Sequence, residues 1–518
     1  MTEPCYLGIE LGSTRIKAVL VDESTAVVAA GSHTWENKLA DGVWSYSLED
    51  VWTGLREAYG ALVADFAAAH DAPPVIGCIG ISAMMHGYLA FDDQGELLVP
   101  FRTWRNTMTA AASEELTAAL GFTIPQRWSV AHLYQAVLNG EEHVPRVAFL
   151  TTLAGYVHWK LTGERVLGVG DASGMLPIDP ATHQWDRQRL EHVQALLDAH
   201  SAGISLAGIL PGVQDAGMVA GALTAEGARL LDPSGRLQEG IPFCPPEGDA
   251  GTGMVATDAV APRTGNISAG TSIFAMIVLE RGLESLHPEI DLVTTPAGDP
   301  VAMVHCNNGA SEIDAWAGVF GQFAARAGLP LDNAALFSAL FSAALEGEAD
   351  GGGLMAYNYL AGEPITGLAE GRPVVVRTPD SRFSLANFAR TLIMSSFGTL
   401  SLGMRILAGE GVAVDSMFAH GGIFATKGVA QRLMAAALGT SVSVAETASE
   451  GGAWGMALLA AYAANPGGLT LSGFLEGVFR DRVVITESPD PDDVAGYGRF
   501  LEAYERGLPV VSAAVASC

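Results

Sequence analysis

Positive charge is scarce in this chain. Lysine and arginine number 28 against 57 aspartates and glutamates, and the 518 residues carry a formal charge of −29. A polyanion of this size repels nucleic acid and anionic lipid, which sets both aside as partners. It also denies any phosphate site a general positive field, so such a site must draw on backbone N–H groups, a metal ion or single cations. Cysteine is scarce as well. Cys5, Cys78, Cys244, Cys306 and Cys518 form no CxxC pair and are odd in number. That excludes a disulfide framework or a zinc cluster and fits a reducing cytoplasm. Cys244 reads as a small packing residue. No run of eighteen uninterrupted apolar residues occurs, so no transmembrane helix is expected. The N-terminus lacks a basic region leading into an apolar core, so no signal peptide is expected.

What is present is apolar and glycine-rich. Hydrophobic residues make up 49% of the chain, and its length exceeds what one core serves, so two large domains are expected. Near the midpoint stands Pro245-Pro246-Glu247-Gly248-Asp249-Ala250-Gly251-Thr252-Gly253, one strong acid in a run of small residues. Large side chains would wall off the backbone, so the glycines suggest that a ligand comes close. A second small-residue turn, Ser268-Ala269-Gly270-Thr271-Ser272, follows. An acid that takes a proton and a turn that holds phosphate suggest phosphoryl transfer. Two ordinary loops of an α/β protein are the alternative.

Taken in order, Tyr6–Ile9 and Ala18–Val21 read as strands joined through Glu10-Leu11-Gly12-Ser13-Thr14-Arg15-Ile16-Lys17. Gly12, Ser13 and Thr14 can turn N–H groups and hydroxyls toward an anion, with Lys17 or Arg15 adding charge. A bare hairpin turn is the competing reading, and the pattern is not a Walker P-loop. Leu48–Ala69 has helical spacing. Val75–Ile81 reads as a strand ending at Met84-Met85-His86-Gly87, where ligands of α/β sheets gather. Trp104 and Arg105 can stack on a sugar face or cap a surface helix. Asp171 is a ligand or a helix N-cap. From residue 266 the strand–turn–strand pattern repeats, which suggests two similarly built halves with a boundary near 260. Ser416–His420 reads as a strand running into Gly421-Gly422, with a helix from Lys427 to Leu438. Strand, Gly-Gly, helix brings backbone against a nucleotide, or makes a plain tight turn.

The order of these pieces resembles the FGGY carbohydrate kinase family over roughly residues 6–465. The segments that carry it are Gly8-Ile9-Glu10-Leu11-Gly12-Ser13-Thr14, Gly248-Asp249-Ala250, Ser268-Ala269-Gly270-Thr271-Ser272 and Glu450-Gly451-Gly452-Ala453-Trp454-Gly455-Met456-Ala457. Met85-His86-Gly87 looks most like the xylulokinase branch. The resemblance implies an α/β fold of two ribonuclease H-like domains, of the actin/hexokinase type, with an interdomain cleft. Residues 1–260 would hold the sugar and the catalytic base, and 261–518 would hold ATP. By similarity Asp249 is the general base, and Met85, His86, Gly87, Trp104, Arg105 and Asp249 meet the sugar. Gly12, Ser13, Thr14 and Lys17, with Gly270, Thr271 and Ser272, hold phosphates. Gly421, Gly422 and Phe424 meet the nucleotide, and Glu10 serves Mg²⁺. A homodimer is compatible with the family.

Three departures from the family pattern stand out. The first-motif acid is Glu10 where the family has Asp, and the extra methylene moves its carboxylate by about 1.5 Å. The nucleotide turn reads Gly421-Gly422-Ile423-Phe424-Ala425-Thr426, in which Phe424 packs near the adenine or narrows the pocket. Ala435 replaces an aspartate. On the sugar side, Arg105 stands in Trp104-Arg105-Asn106 where the branch has a neutral or acidic neighbour, and offers donors in a fixed fork. The resemblance implies an ATP-dependent kinase of a ketopentose such as xylulose. The alternatives are a kinase of ribulose, fuculose or glycerol, or a non-catalytic sugar- or nucleotide-binding relative. His86→Ala is expected to raise KM for the sugar far more than KM for ATP in a steady-state ADP-release assay. A change confined to the ATP constant would remove the Met-His-Gly segment from the sugar site.

Overall fold

The computed structural model describes residues 4–445 and 451–518. The chain forms two compact units. Unit 1 comprises Met1–Ala261, Leu292–Val301 and Ser449–Asp481, and unit 2 comprises Pro262–Asp291, Ala302–Ala448 and Arg482–Cys518. A single cut at 260/261 is therefore too simple, because two later segments belong to unit 1. The cause is legible in the helix Gly451–Ala464, every residue of which from Gly452 to Ala463 is buried. A helix that is apolar all round needs cover on all sides.

Unit 1 is built on a five-stranded sheet ordered Glu247–Gly248, Ile76–Ala83, Cys5–Leu11, Arg15–Val21, Val27–Thr34. The last three strands are antiparallel, and the first two run parallel to Cys5–Leu11. Leu7, Ile9, Leu11, Ile16, Ala18 and Leu20 are fully buried. Helices cover both faces. Leu48–Ala69 starts at Ser47, whose hydroxyl accepts from the Asp50 N–H at 3.0 Å. It lies so close to the sheet that a Cβ on Gly31 would sit 2.2 Å from Ala58 O. On the opposite face by register, a Cβ on Gly8 would sit 2.2 Å from Ala453 O and 2.3 Å from Ala457 N.

Unit 2 carries most of a seven-stranded sheet. Its order is Ile290–Thr294, Pro300–Cys306, Ile273–Val278, Thr264–Ala269, Ser416–His420, Ser441–Ala445, Val484–Glu487. From Pro300–Cys306 to Ser441–Ala445 this repeats the strand order of unit 1. In each unit a central hairpin is flanked by parallel strands that arrive much later in sequence. The pattern repeat seen in the sequence is thus a repeat of topology. The longest helix, Leu385–Gly409, begins at Ser384 and is mostly buried. By length and composition it could cross a membrane, a property that the search for an uninterrupted apolar run passed over, and 67% of its most apolar stretch is buried inside the fold. Buried Arg390 on this helix pairs with Asp493, which also takes Arg432 at 2.6 Å. Gly398 and Gly403 let Tyr504 and Val304 pack directly on its backbone.

Gly8→Ala is expected to destabilise unit 1 by about 3 kcal/mol, because backbone rather than a flexible side chain blocks the new methyl group. Gly60→Ala, whose Cβ would meet nothing within 4 Å, should instead stabilise the helix slightly. Urea unfolding of the two variants checks both signs.

Candidate active site

The parallel strands Ile76–Ala83 and Glu247–Gly248 end side by side, pairing Glu247 with Ser82 and Gly248 with Ala83. The chain after each strand builds the site. Beyond Ala83 the backbone turns sharply, with His86 at φ +73° and Gly87 at +96°. A left-handed histidine costs of order 1 kcal/mol and needs support from its surroundings. Here the Gly87 N–H donates to Arg127 O at 3.1 Å, and His86 Nδ1 lies 3.1 Å from Gly174 O. That contact is satisfied when Nδ1 carries the proton. The His86 ring stacks against Trp128, centroids 6.3 Å apart. A Cβ on Gly174 would lie 2.6 Å from His86 Nδ1, so glycine is required there.

Beyond Gly248 a helix starts at once, Asp249–Val255. Asp249 is therefore the first residue of a helix and not an acid within a loop. Gly248 serves packing, since a Cβ there would lie 2.9 Å from Met85 Cγ, and the helix backbone at Thr252 in turn requires Gly455, whose Cβ would lie 2.1 Å from Thr252 O. The Met85 N–H donates to Asp249 Oδ1 at 3.2 Å. That bond joins Met85-His86-Gly87 to the acid across 164 residues of sequence. Burial raises the Asp249 carboxyl above its ordinary value, and the N–H groups of Met85 and Ala250 oppose the shift.

Glu10 lies in the strand Cys5–Leu11 with Lys17 directly across from it. Its carboxylate faces the N-terminal turn of Gly451–Ala464, accepting the Ala453 N–H, and a Cβ on Gly452 would lie 2.3 Å from Oε1. Burial, and then the charge of Asp249, push the Glu10 carboxyl up to about 7, against the opposing pull of Lys17. Of the Glu450–Ala457 segment, Glu450 falls outside the described residues.

Two further acids lie beneath this pair. Asp171 is wholly buried within the short helix Val169–Ala172, whose N-cap is Gly168, so it is not an N-cap. Thr152 donates to its Oδ2 at 2.6 Å, and Oδ1 has no hydrogen-bond partner. Burial first, then Asp249, push Asp171 up to about 7. Glu247, which the sequence reading passed over, accepts the N–H groups of Asp171 at 2.9 Å and Gly170 at 3.3 Å. Burial, and next the charge of Asp171, raise Glu247 well above the carboxylate range. The signal for Glu247 was Gly168-x-Gly170, since a Cβ on either glycine would strike its carboxylate at 2.1 or 2.4 Å.

The first hairpin turn is held from inside. Trp35 Nε1 donates to Gly12 O at 2.7 Å and the Tyr46 hydroxyl to Ser13 O at 2.6 Å, while the side chains of Ser13 and Thr14 are exposed. Trp104 is 39% exposed, and the Arg105 guanidinium lies over the Trp44 ring at 3.8 Å. No described hydrogen bond or ion pair joins either residue to Asp249. The buried arginine of this segment is Arg102, paired with Glu141.

Unit 2 holds a cavity of about 720 Å³. Gly270 and Thr271 of the second hairpin turn line it, as do Gly422, Ile423, Thr426 and Lys427. Ser272 and Phe424 are not in the lining. Phe424 is 7% exposed and packs inward, so its neighbours Ile423 and Ala425 take the wall position that the sequence reading gave to it. Gly421 sits at φ +120° with its Cβ position 2.0 Å from Ala269 O, which seats this turn directly on the second hairpin. The opposite wall comes from the helices Ser311–Arg326 and Asn333–Ala344, through Ile313, Asp314, Phe337 and Phe341. The residues from Asn308 to Phe320 read as the start of a helix in the sequence, but nothing there marks either helix as a cavity wall, because their apolar faces look like any core face.

No group of three metal-ligating side chains occurs among the described residues. Mg²⁺ is commonly held by one or two carboxylates together with substrate phosphates and water, and Glu10 beside Asp249 is a donor set of that kind.

The fold is that of the actin/hexokinase-type sugar kinases, mixed α/β in two units. Superposed on a "xyloylose kinase" from Brucella ovis, the chain gives a TM-score of 0.79 with 20% identity, covering 98% of this chain and 99% of that one. Models of the FGGY family of carbohydrate kinases match residues 5–256 for the N-terminal domain and 265–464 for the C-terminal domain. The chain belongs to the FGGY family of carbohydrate kinases. It is 28% identical to the xylulose kinase of Klebsiella pneumoniae over 213 residues, 38% of this chain and 41% of that protein. With the xylulose kinase of Escherichia coli K12 it shares 23% over 284 residues, 52% of this chain and 53% of the other. The matched region thus spans about half the length of these relatives or less.

A buried carboxyl with a raised folded pKa binds its proton more tightly folded than unfolded. Its contribution to stability is present at low pH and lost as pH rises toward 7. Asp171→Asn keeps the shape and removes the titration. It is expected to match the parent near pH 4 and to exceed it by on the order of 3 kcal/mol at pH 8 in urea unfolding. An equal offset at both pH values would remove titration of Asp171 as the cause.

Proposed function

We propose that the protein transfers the γ-phosphoryl group of ATP to a hydroxyl of a ketopentose such as xylulose, with Asp249 as general base. The observation that carries this reading is the Met85 N–H···Asp249 Oδ1 bond. It sets a helix-initial carboxylate beside the left-handed His86 corner at the ends of two parallel strands. A hydroxyl is a weak nucleophile. A carboxylate within hydrogen-bond reach takes its proton as the new O–P bond forms and the bond to the ADP oxygen breaks. A raised carboxyl pKa strengthens the base. Met85, His86 and Gly87 orient the sugar, with His86 held in one ring orientation by Gly174 and Trp128. Trp104 and Arg105 are assigned to the outer sugar contacts. The two curated relatives are named xylulose kinases, which supports the choice of acceptor.

The nucleotide is assigned to unit 2. Ile313, Phe337, Phe341 and Ile423 give the cavity apolar walls suited to a purine, and Asn333 and Ser338 offer polar edges. Gly270, Thr271 and Ser272 are assigned to phosphate, together with Gly421 and Gly422. The first hairpin turn, Gly12-Ser13-Thr14, and Lys17 are assigned to phosphate from unit 1. Glu10 would hold Mg²⁺, directly or through water, and the ion would offset charge developing on the phosphate oxygens. The family's use of ATP, typically with Mg²⁺, supports these assignments. The five cysteines are free thiols, in keeping with a cytoplasmic setting.

Asp249→Asn is expected to lower turnover by about 10²–10⁴-fold while ATP binding persists. The assay is ADP release across a panel of ketoses, aldoses and polyols, with xylulose the best acceptor. Near-parental turnover in the variant would remove Asp249 as the base. A parent enzyme silent on the whole panel would overturn the kinase reading.

A further inference from the structure

A second cavity lies in unit 2 and shares no lining residue with the nucleotide cavity. It measures about 300 Å³, the lower end of the range that holds small ligands. One wall is the antiparallel hairpin Leu354–Tyr357 with Val374–Arg377. The other is the C-terminal pair of helices, Pro491–Gly507 and Pro509–Ser517, through Phe500, Ala503 and Val510. The walls are apolar where Met355, Val376, Phe500, Ala503 and Val510 meet. The structure around them is closely set. A Cβ on Gly507 would lie 2.0 Å from the Tyr357 hydroxyl oxygen, and that hydroxyl is itself engaged with Tyr504 O at 3.1 Å.

The charged lining residues are Asp350, Arg377 and Arg499. Asp350 and Arg499 neutralise one another, with Arg499 Nε donating to Oδ2 at 3.2 Å. Arg377 has no carboxylate partner among the described residues and lies over the Phe383 ring at 5.1 Å. The cavity thus carries one net positive charge in a chain whose formal charge is −29. An apolar pocket with one uncompensated guanidinium matches an apolar body with one negative group.

We propose that this cavity is a binding site for a small organic monoanion with an apolar body, separate from the site assigned to nucleotide. The apolar part fills the space beside Ala503 and Val376, and the anionic group meets Arg377.

The test uses the full-length protein and the fluorescent monoanion 8-anilinonaphthalene-1-sulfonate, titrated with excess MgATP present to block the nucleotide cavity. Octanoate is expected to displace the probe, and neutral 1-octanol to do so at least about tenfold more weakly. Ala503→Trp, which fills the cavity, and Arg377→Glu, which reverses the exposed charge, are each expected to weaken probe binding by about tenfold or more. Arg377 is on the surface, so Arg377→Glu keeps the test valid if Ala503→Trp fails to fold. Unchanged probe affinity in Arg377→Glu and in folded Ala503→Trp would overturn the proposal, as would octanoate and octanol competing equally. Light scattering gives a further outcome. A dimer that Ala503→Trp splits, with probe affinity unchanged, would show that a second copy covers this surface and would also overturn it.

Discussion

Unit 1 depends on backbone meeting backbone where no Cβ fits. Gly8 of the first strand lies against Ala453 and Ala457 of the helix Gly451–Ala464, and Gly455 of the same helix lies against Thr252. These approaches bring a helix from late in the chain onto the first sheet and against the helix that starts at Asp249. Glu10 thereby faces the helix start, where Gly452 leaves room for its carboxylate. A methyl group at any of these glycines would push the helix outward and take with it the relation between Glu10 and Asp249. The glycines are therefore a matter of close packing here, more than of turn flexibility.

The carboxylates around Asp249 form a graded series. Asp249 is partly accessible and raised, while Asp171 and Glu247 are fully buried, Asp171 raised to about 7 and Glu247 well above the carboxylate range. Burial is the largest cause in each case, and the charge of Asp249 adds to it for Asp171, that of Asp171 for Glu247. A buried acid with a raised pKa is tolerable because its neutral form needs only ordinary hydrogen bonds. Thr152 serves Asp171, and the N–H groups of Gly170 and Asp171 serve Glu247. The result ties the short helix Val169–Ala172 to the strand that delivers Asp249. Placing Asp249 is thus the work of two acids that take no part in the proposed chemistry.

The repeated topology explains how two chemically different sites arise from one plan. Each unit has a hairpin at the middle of its sheet, and parallel strands beside the hairpin end at that hairpin's turn. In unit 1 the strand ends carry an acid and a histidine, which suit a hydroxylated acceptor. In unit 2 they carry Gly421 and Gly422, which let the backbone sit against the second hairpin and open a cavity wall. Large apolar residues on two helices complete that wall. Side chains at the strand ends, rather than the fold, set the two roles.

The sequence by itself determined the class of fold, the two hairpins, the helix Leu48–Ala69 and the strand Ser416–His420. The class of fold rests on the resemblance of the ordered motifs to the FGGY family, and each of the elements on local periodicity and on turn residues a few positions apart. It also singled out Asp249 and Met85-His86-Gly87, because acids and histidines beside glycine at strand ends are rare and chemically suggestive. Tertiary structure alone decided the rest. It made Asp249 a helix start, turned Phe424 away from the cavity, laid Arg105 over Trp44 and placed Gly451–Ala464 in unit 1. It also revealed Glu247 as a buried partner of Asp171. Each of these depends on residues far apart in sequence, so the local pattern at the residue itself does not fix it. Local pattern names the residues able to do chemistry, and long-range packing decides where each of them points.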